Sequence, residues 1–223
     1  MKSSYTEPKI SFRTTTWLDR LLSEAGHALR TVTSHPDQPK QPSPGGDFPE
    51  TTLSDKDSQL IQGLMRINHT GEIAAQALYR GQAFVAENRE QEQALLMAAD
   101  EEQDHLIWCA QRLEELDSHV SCLAPFWYGG SFLIGVSAGL AGDDWSLGFV
   151  EETEIQVSAH LDDHLGRIPE SDERSRAILE RMRADEERHA EKARAAGARE
   201  LPTPVKKIMT GIANLMRFVS HRI

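Results

Sequence analysis

The sequence predicts an all-α protein: a four-helix bundle with one long crossover connection, a short N-terminal helix and a C-terminal amphipathic helix. Three observations predict it. Between Leu53 and Gly197 apolar residues recur at helical, not alternating, spacing. A Glu-x-x-His pair occurs twice, at Glu102 and His105 in DEEQDH and at Glu186 and His189 in DEERH. Both pairs, and one glutamate in each of two other helical stretches, sit where core leucines belong.

Bulk properties narrow the class. The 223 residues suffice for one well-buried domain with extensions. A net charge of −11 excludes the broad basic surface that nucleic acid needs. Cys109 and Cys122, the two cysteines, make no disulfide framework and predict free thiols in a reducing compartment. The N-terminus lacks the apolar core of a secretory signal. No run reaches the length of a spanning helix; Phe132–Gly142 comes nearest, and it is short and Gly-rich.

Residues 1–50 form an N-terminal extension. Leu18, Leu21, Leu22, Ala25, Leu29 and Val32 recur at helical spacing, so Trp17–Val32 reads as a helix strapped on the bundle or turned toward a partner or membrane. Pro36, Pro39, Pro42, Pro44 and Pro49 make an extended linker of His35–Pro49.

Residues 51–200 form the bundle. Its first helix spans about Leu53–Asn88 and starts at Ser54 or Asp55. Its stripe runs Ile61, Met65, Asn68, Glu72, Ala75, Tyr79, Ala83. Gly71 and Gly81 each weaken the helix by roughly 1 kcal/mol relative to Ala, and either could admit another helix or a substrate. The second helix, about Glu90–Leu116, carries Leu95, Glu102, His105, Cys109 and Leu113 on its stripe. Glu101, Gln103 and Asp104 project elsewhere, as solvated or supporting groups. Ser118–Gly130, with Pro125, Gly129, Gly130 and the aromatic run Phe126–Tyr128, reads as a break. Ser131–Val150 either begins the third helix or forms the crossover. That helix continues to about Gly166 with Val150, Glu154, Val157, Leu161 and Leu165 in register; Glu154 is the ligand candidate and Glu151 the alternative. Pro169 ends it. The fourth helix, about Ser171–Gly197, aligns Met182, Glu186, His189 and Ala193.

Residues 201–223 form the last helix. Val205, Ile208, Met209, Ile212, Leu215, Met216 and Val219 make one stripe, and its charged side chains, Lys206, Lys207, Arg217 and Arg222, are all positive. A basic amphipathic helix suits an anionic membrane surface; docking on the bundle or a dimer seam is the alternative.

The acids on core stripes require an explanation. Burying an ionised carboxylate without a partner costs several kcal/mol. Glu72, Glu102, Glu154 and Glu186 carry −4 together, which two divalent cations neutralise. Glu102 with His105, and Glu186 with His189, place carboxylate and imidazole one helical turn apart on one face. Two Glu-x-x-His pairs and two further glutamates are the ligand set of ferritin-like two-metal bundles. The fold class is therefore a ferritin-like four-helix bundle. Oxygen-rich ligation without thiolate disfavours structural zinc and suits iron or manganese, with dioxygen as the natural co-substrate of two irons. His69, His160 and His164 lie near the bundle and read as surface or supporting residues.

Five stretches carry a resemblance: RINHTGEIAAQALYRGQ from Arg66, DEEQDHL from Asp100, APFWYGGSFLIG from Ala124, ETEIQVSAHLDDHL from Glu152 and DEERHA from Asp185. Together they resemble the demethoxyubiquinone hydroxylase family of ubiquinone biosynthesis, from about Leu60 to the C-terminus, with Asp19–Arg30 and the Pro-rich linker also matching bacterial members. The resemblance implies a membrane-associated diiron monooxygenase, peripheral at the cytoplasmic face of the bacterial cell membrane. It implies that a polyprenyl benzoquinol lacking one methoxy group is hydroxylated with dioxygen, on two Fe2+ held by Glu72, Glu102, His105, Glu154, Glu186 and His189. His160 matches a family histidine and becomes a supporting functional residue. A homo-oligomer or a ubiquinone-biosynthesis complex is compatible with this reading, and no nucleic acid is expected. Tyr79, Leu106, Cys109, Phe132 and Ile134 are candidate pocket walls. The rival readings are a ferroxidase or storage protein, a tRNA-modifying diiron hydroxylase and a metal-stabilised bundle without activity.

Overall fold

The computed structural model describes residues 16–33 and 39–223. The first fifteen residues and positions 34–38 of the linker lie outside the described residues. Among the described residues seven α-helices follow in order: α1 (Trp17–Thr33), α2 (Asp55–Val85), α3 (Arg89–Glu115), α4 (Ala124–Leu140), α5 (Asp143–Arg167), α6 (Glu173–Ala195) and α7 (Thr203–Ser220). No strand occurs among the described residues, and the fold is an all-α, ferritin-like bundle.

Local chemistry starts the bundle helices where the sequence suggests. The side chains of Ser54, Asn88 and Asp172 accept hydrogen bonds from the backbone N–H groups of Asp57, Gln91 and Ser175, satisfying donors that a helix start leaves free. At the other end of α6, Gly197 takes φ +100° and closes the helix in the left-handed region.

The aromatic run behaves differently from its reading as a break. It lies inside α4, which begins at Ala124 with Pro125 in its first turn. Proline fits there because the first helical N–H groups have no intrahelical partner to lose. The crossover between α3 and α5 is thus itself a helix, separated from α5 by a turn at Gly142 (φ +113°). Gly135 lies over Leu78, and Gly139 over Gln82 and Val85, so α4 runs parallel to α2. At Gly81 and Gly135 an added Cβ would strike the carbonyl oxygens of Phe132 and Leu78. Of the two glycines on α2, Gly81 therefore admits a helix; Gly71 meets no neighbour within 4 Å and lines a cavity.

Helix α5 runs antiparallel to α2: Gln82 donates to the carbonyl of Ser146 at one end, and Asn68 meets His164 at the other. Two apolar clusters fill the space between α2, α3, α5 and α6. One includes Met65, Trp108, Leu161 and Met182; the other includes Ala75, Tyr79, Val150 and Ala193. On every helix the predicted site residues fall between these clusters. Apolar clusters thus lie above and below this charged layer.

The extensions are held by polar contacts. Helix α1 does strap the bundle, through Arg20 to Glu92 at 2.8 Å and both nitrogens of Arg80 to Glu24 at 2.7 Å. Its leucine stripe faces outward, with Leu22 and Leu29 both 62% exposed. The described part of the linker crosses α3 and α6. The Asp104 carboxylate accepts from the backbone N–H groups of Lys40 (2.7 Å) and Gln41 (3.2 Å), and Trp108 Nε1 donates to the Gln41 carbonyl. Glu50 then pairs with the buried Arg112 at 2.7 Å. Helix α7 crosses from Glu152, which faces Lys206 at 3.2 Å, to Arg66, which donates to the carbonyl of His221. No described helix is long and apolar enough to cross a membrane.

Candidate metal centre

All six predicted ligands converge. Glu72 on α2, Glu102 and His105 on α3, Glu154 on α5, and Glu186 and His189 on α6 are all buried. They fall into two overlapping groups, each with ligand atoms within 4.8 Å of one another: Glu72, Glu102, His105 and Glu186, and Glu102, Glu154, Glu186 and His189. Glu102 and Glu186 belong to both groups. The alternative Glu151 points away and pairs with Arg194 at 2.7 Å. Register settles that choice physically: Glu154 shares the inward face of α5 with Leu161, and Glu151 does not.

The histidines present Nδ1 to the acids. His105 Nδ1 lies 3.0 Å from Glu102, 3.1 Å from Glu186 and 3.8 Å from Glu72. His189 Nδ1 lies 3.1 Å from Glu102, 3.5 Å from Glu186 and 3.9 Å from Glu154. Yet both Nδ1 atoms, both oxygens of Glu102 and Oε1 of Glu186 have no hydrogen-bond partner. Buried polar atoms without partners are costly and rare. Lone pairs that converge closely without hydrogen-bond alignment are the arrangement a cation would satisfy, and this donor set fits a pair of divalent metals.

Electrostatics agrees. Burial pushes the Glu72 carboxyl up to about 8, and the charge of Glu186 adds to the push. Burial, then the charges of Glu186 and Glu102, drive Glu154 well above the ordinary carboxylate range. Burial opposes charge on His189, but Glu102 and Glu186 hold it up to about 10.

The outer edge of each imidazole is clamped crosswise. His105 Nε2 lies 3.2 Å from Asp185, the residue before the Glu186 ligand, and His189 Nε2 lies 2.8 Å from Glu101, the residue before the Glu102 ligand. Asp185 is in turn held by Arg181 at 2.9 Å and Arg188 at 2.5 Å, and Glu101 by Lys192 at 3.2 Å. Such partners fix tautomer and ring orientation. Glu101 therefore has a supporting role, and Asp185 was not singled out from the sequence. The signal was present: in both motifs an acid precedes the ligand glutamate. Tyr79 adds a further support, donating its hydroxyl to Glu154.

Two cavities flank the layer. On the α3–α6 side, a polar cleft of about 310 Å³ reaches His105, His189, Glu101 and Asp185 beneath Lys40 and Gln41. On the opposite side, an apolar cavity of about 300 Å³ lies between α2, α4, α5 and α7. Ala75 and Val157, one turn after Glu72 and Glu154, are in its wall, as is His160. Of the five candidate wall residues only Ile134 lines it. Leu106 and Phe132 pack into the core between α2, α3 and α4, while Cys109 and Tyr79 belong to the bundle core. A surface role for His69, His160 and His164 is also corrected, since all three are buried.

Comparison with known proteins follows this geometry. Residues 59–220 match the family described as ubiquinone biosynthesis protein COQ7. A protein of Xanthomonas campestris pv. campestris named 3-demethoxyubiquinol 3-hydroxylase is 55% identical over 205 residues, 92% of this chain and 94% of its own. A protein of Xylella fastidiosa with the same name is 53% identical over 214 residues, 96% and 98% of the two chains.

Proposed function

The chain belongs to the ubiquinone biosynthesis protein COQ7 family, and on that premise we propose that it hydroxylates the ring of a demethoxy polyprenyl benzoquinol, using dioxygen at a centre of two iron ions. The observation that carries the reading is the pair of four-residue groups sharing Glu102 and Glu186. Glu72 and His105 would help hold one ion and Glu154 and His189 the other, with Glu102 and Glu186 available to both groups. When bound, the iron pair supplies dioxygen activation. The net reaction converts a ring C–H, dioxygen, two electrons and two protons into a ring C–OH and water, so an external reductant is required.

The protein's own residues set the conditions. Four carboxylates neutralise four positive charges, so the loaded layer suits its apolar surroundings. Asp185 and Glu101 hold both imidazoles with Nδ1 inward. The apolar cavity excludes water on the Glu72–Glu154 side and receives the ring there. A second apolar hollow shares Ile134, Phe149 and Val205 with this cavity and continues outward past Leu133 and Trp145, a route for the isoprenoid tail.

That route suits a chain lying against a membrane. Leu22 on α1, Phe126 and Leu133 on α4, and Ile208, Leu215 and Phe218 on α7 are exposed apolar side chains, and all three helices pack against α2. With Lys207 on α7 and Arg222 just beyond its end, they form a peripheral contact for the anionic cytoplasmic face of the bacterial cell membrane. Vesicle flotation tests this: Ile208→Asp with Phe218→Asp weakens binding to anionic vesicles, and undiminished flotation counts against the contact.

The activity is tested by the quinones of a strain lacking the gene. The expected profile is loss of ubiquinone with accumulation of the demethoxy precursor, reversed by the wild-type gene and not by Glu186→Ala. Loss of ubiquinone without that precursor contradicts the substrate assignment.

A further inference from the structure

We infer that His160, held in place by His164 and Asn68, is the polar anchor that accepts a hydrogen bond from a ring hydroxyl of the substrate. The inference rests on the hydroxylase reading and adds a binding residue to it. A quinol ring entering the apolar cavity must leave water, and each hydroxyl that finds no partner inside opposes binding. Trp127 Nε1 is buried in the cavity wall without a hydrogen-bond partner, but an indole N–H can only donate. Thr153 already donates to the carbonyl of Phe149, Gln156 to Glu152, and Arg217 to Asn214. His160 is different. It is buried in the cavity wall, its ring packs on His164, and no hydrogen bond of ordinary geometry engages its nitrogens among the described residues.

Burial, with Arg217 nearby, brings the imidazole down to about 4, so it is neutral near pH 7. A neutral imidazole has one N–H and one bare nitrogen. The bare nitrogen can accept a hydrogen bond from the O–H of a quinol.

The ring is backed from behind. His164 packs edge-to-face on His160, with ring centroids 5.1 Å apart. His164 Nδ1 donates to Asn68 Oδ1 at 2.9 Å, and both partners are buried, so the second ring is fixed from α2. His164 and Asn68 are positioning residues, and neither is in the cavity wall.

The test is anaerobic calorimetric titration of the full-length protein with a short-tailed demethoxy benzoquinol and with its dimethyl ether, which has no hydroxyl to donate. Wild type binds the quinol about 10-fold tighter than the ether. His160→Leu binds both alike, at the affinity of the ether, and His160→Gln, which keeps an acceptor, restores part of the preference. His164→Phe lowers the preference by a smaller factor. If His160→Leu weakens both compounds equally, or retains the wild-type preference, the anchor is overturned. If wild type binds both compounds with one affinity, the cavity stands and the anchor fails. If it binds neither, the hydroxylase reading fails and takes the anchor with it.

Discussion

The two sides of the charged layer are built from opposite materials. Toward α3 and α6, histidine edges, acids and basic side chains meet a polar cleft beneath the linker. Toward α2 and α5, a mostly apolar cavity is walled by Gly71 and Ala75 on α2 and by Thr153 and Val157 on α5, close in sequence to Glu72 and Glu154, and by His160. The helices are otherwise alike: each contributes a glutamate to the layer, and apolar clusters lie above and below. The difference follows from where the Glu-x-x-His motifs sit. Both histidines come from one side, and each needs a charged clamp, so that side is polar. The other side supplies carboxylates alone, and the proposed function assigns its apolar cavity to the quinol ring.

The comparison can be broken most severely at the shared ligands. Glu102→Ala or Glu186→Ala removes a donor from both four-residue groups, and iron per chain should fall to near zero by colorimetric assay. Glu72→Ala or Glu154→Ala removes a donor from one group and should leave a partly loaded protein. Equal losses in all four variants would erase the distinction between shared and terminal ligands.

The clamps come next. Asp185→Ala or Glu101→Ala should weaken metal affinity by about 10- to 100-fold, read by competition with a chelator, because the imidazole loses its orientation. On the opposite side, Gly71→Leu fills open cavity space and should raise KM for the quinol while iron content stays unchanged. A lowered iron content in that variant would show that the two faces are not independent.

Acidity separates loaded from metal-free protein. Glu72 has a folded pKa of about 8 against 4.5 when unfolded, so its protonated form is favoured by folding. Its contribution is fully present below about 4.5 and is lost as pH rises through 8. Glu154, raised in the same direction, acts alike. His189 adds a loss between 6.5 and about 10. His69 and His160, lowered to about 4, act in the opposite direction and remove stability as pH falls below 6.5. The melting temperature of metal-free protein should therefore decline from pH 6.5 to pH 8, and metal loading should flatten that decline. A smaller effect, confined to the scaffold, is expected from Gly81→Ala. Its Cβ meets the Phe132 carbonyl, and a loss of about 1–3 kcal/mol in urea unfolding should leave metal affinity intact.

Much of the centre was legible because helices impose a period. Six polar residues at core register, two pairs of them three apart, leave little else to predict, and all six meet. What the sequence concealed depends on partners in space. Asp185 and Glu101 clamp histidines on a different helix, which no single stretch reveals. Pro125 reads as a breaker yet stands in the first turn of α4, where its missing N–H does no harm. The leucines of α1 form a proper stripe, but Glu24 and Arg20 make the docking contacts and turn that stripe outward. The cavity walls escaped because α7, distant in sequence, supplies one of them.

The most direct test of a shared two-metal centre is anomalous diffraction at the iron edge from crystals of the loaded protein. Two peaks are predicted inside the bundle, one beside Glu72 and His105, the other beside Glu154 and His189, with Glu102 and Glu186 in contact with both. A single peak, or iron bound outside this layer, would contradict the account.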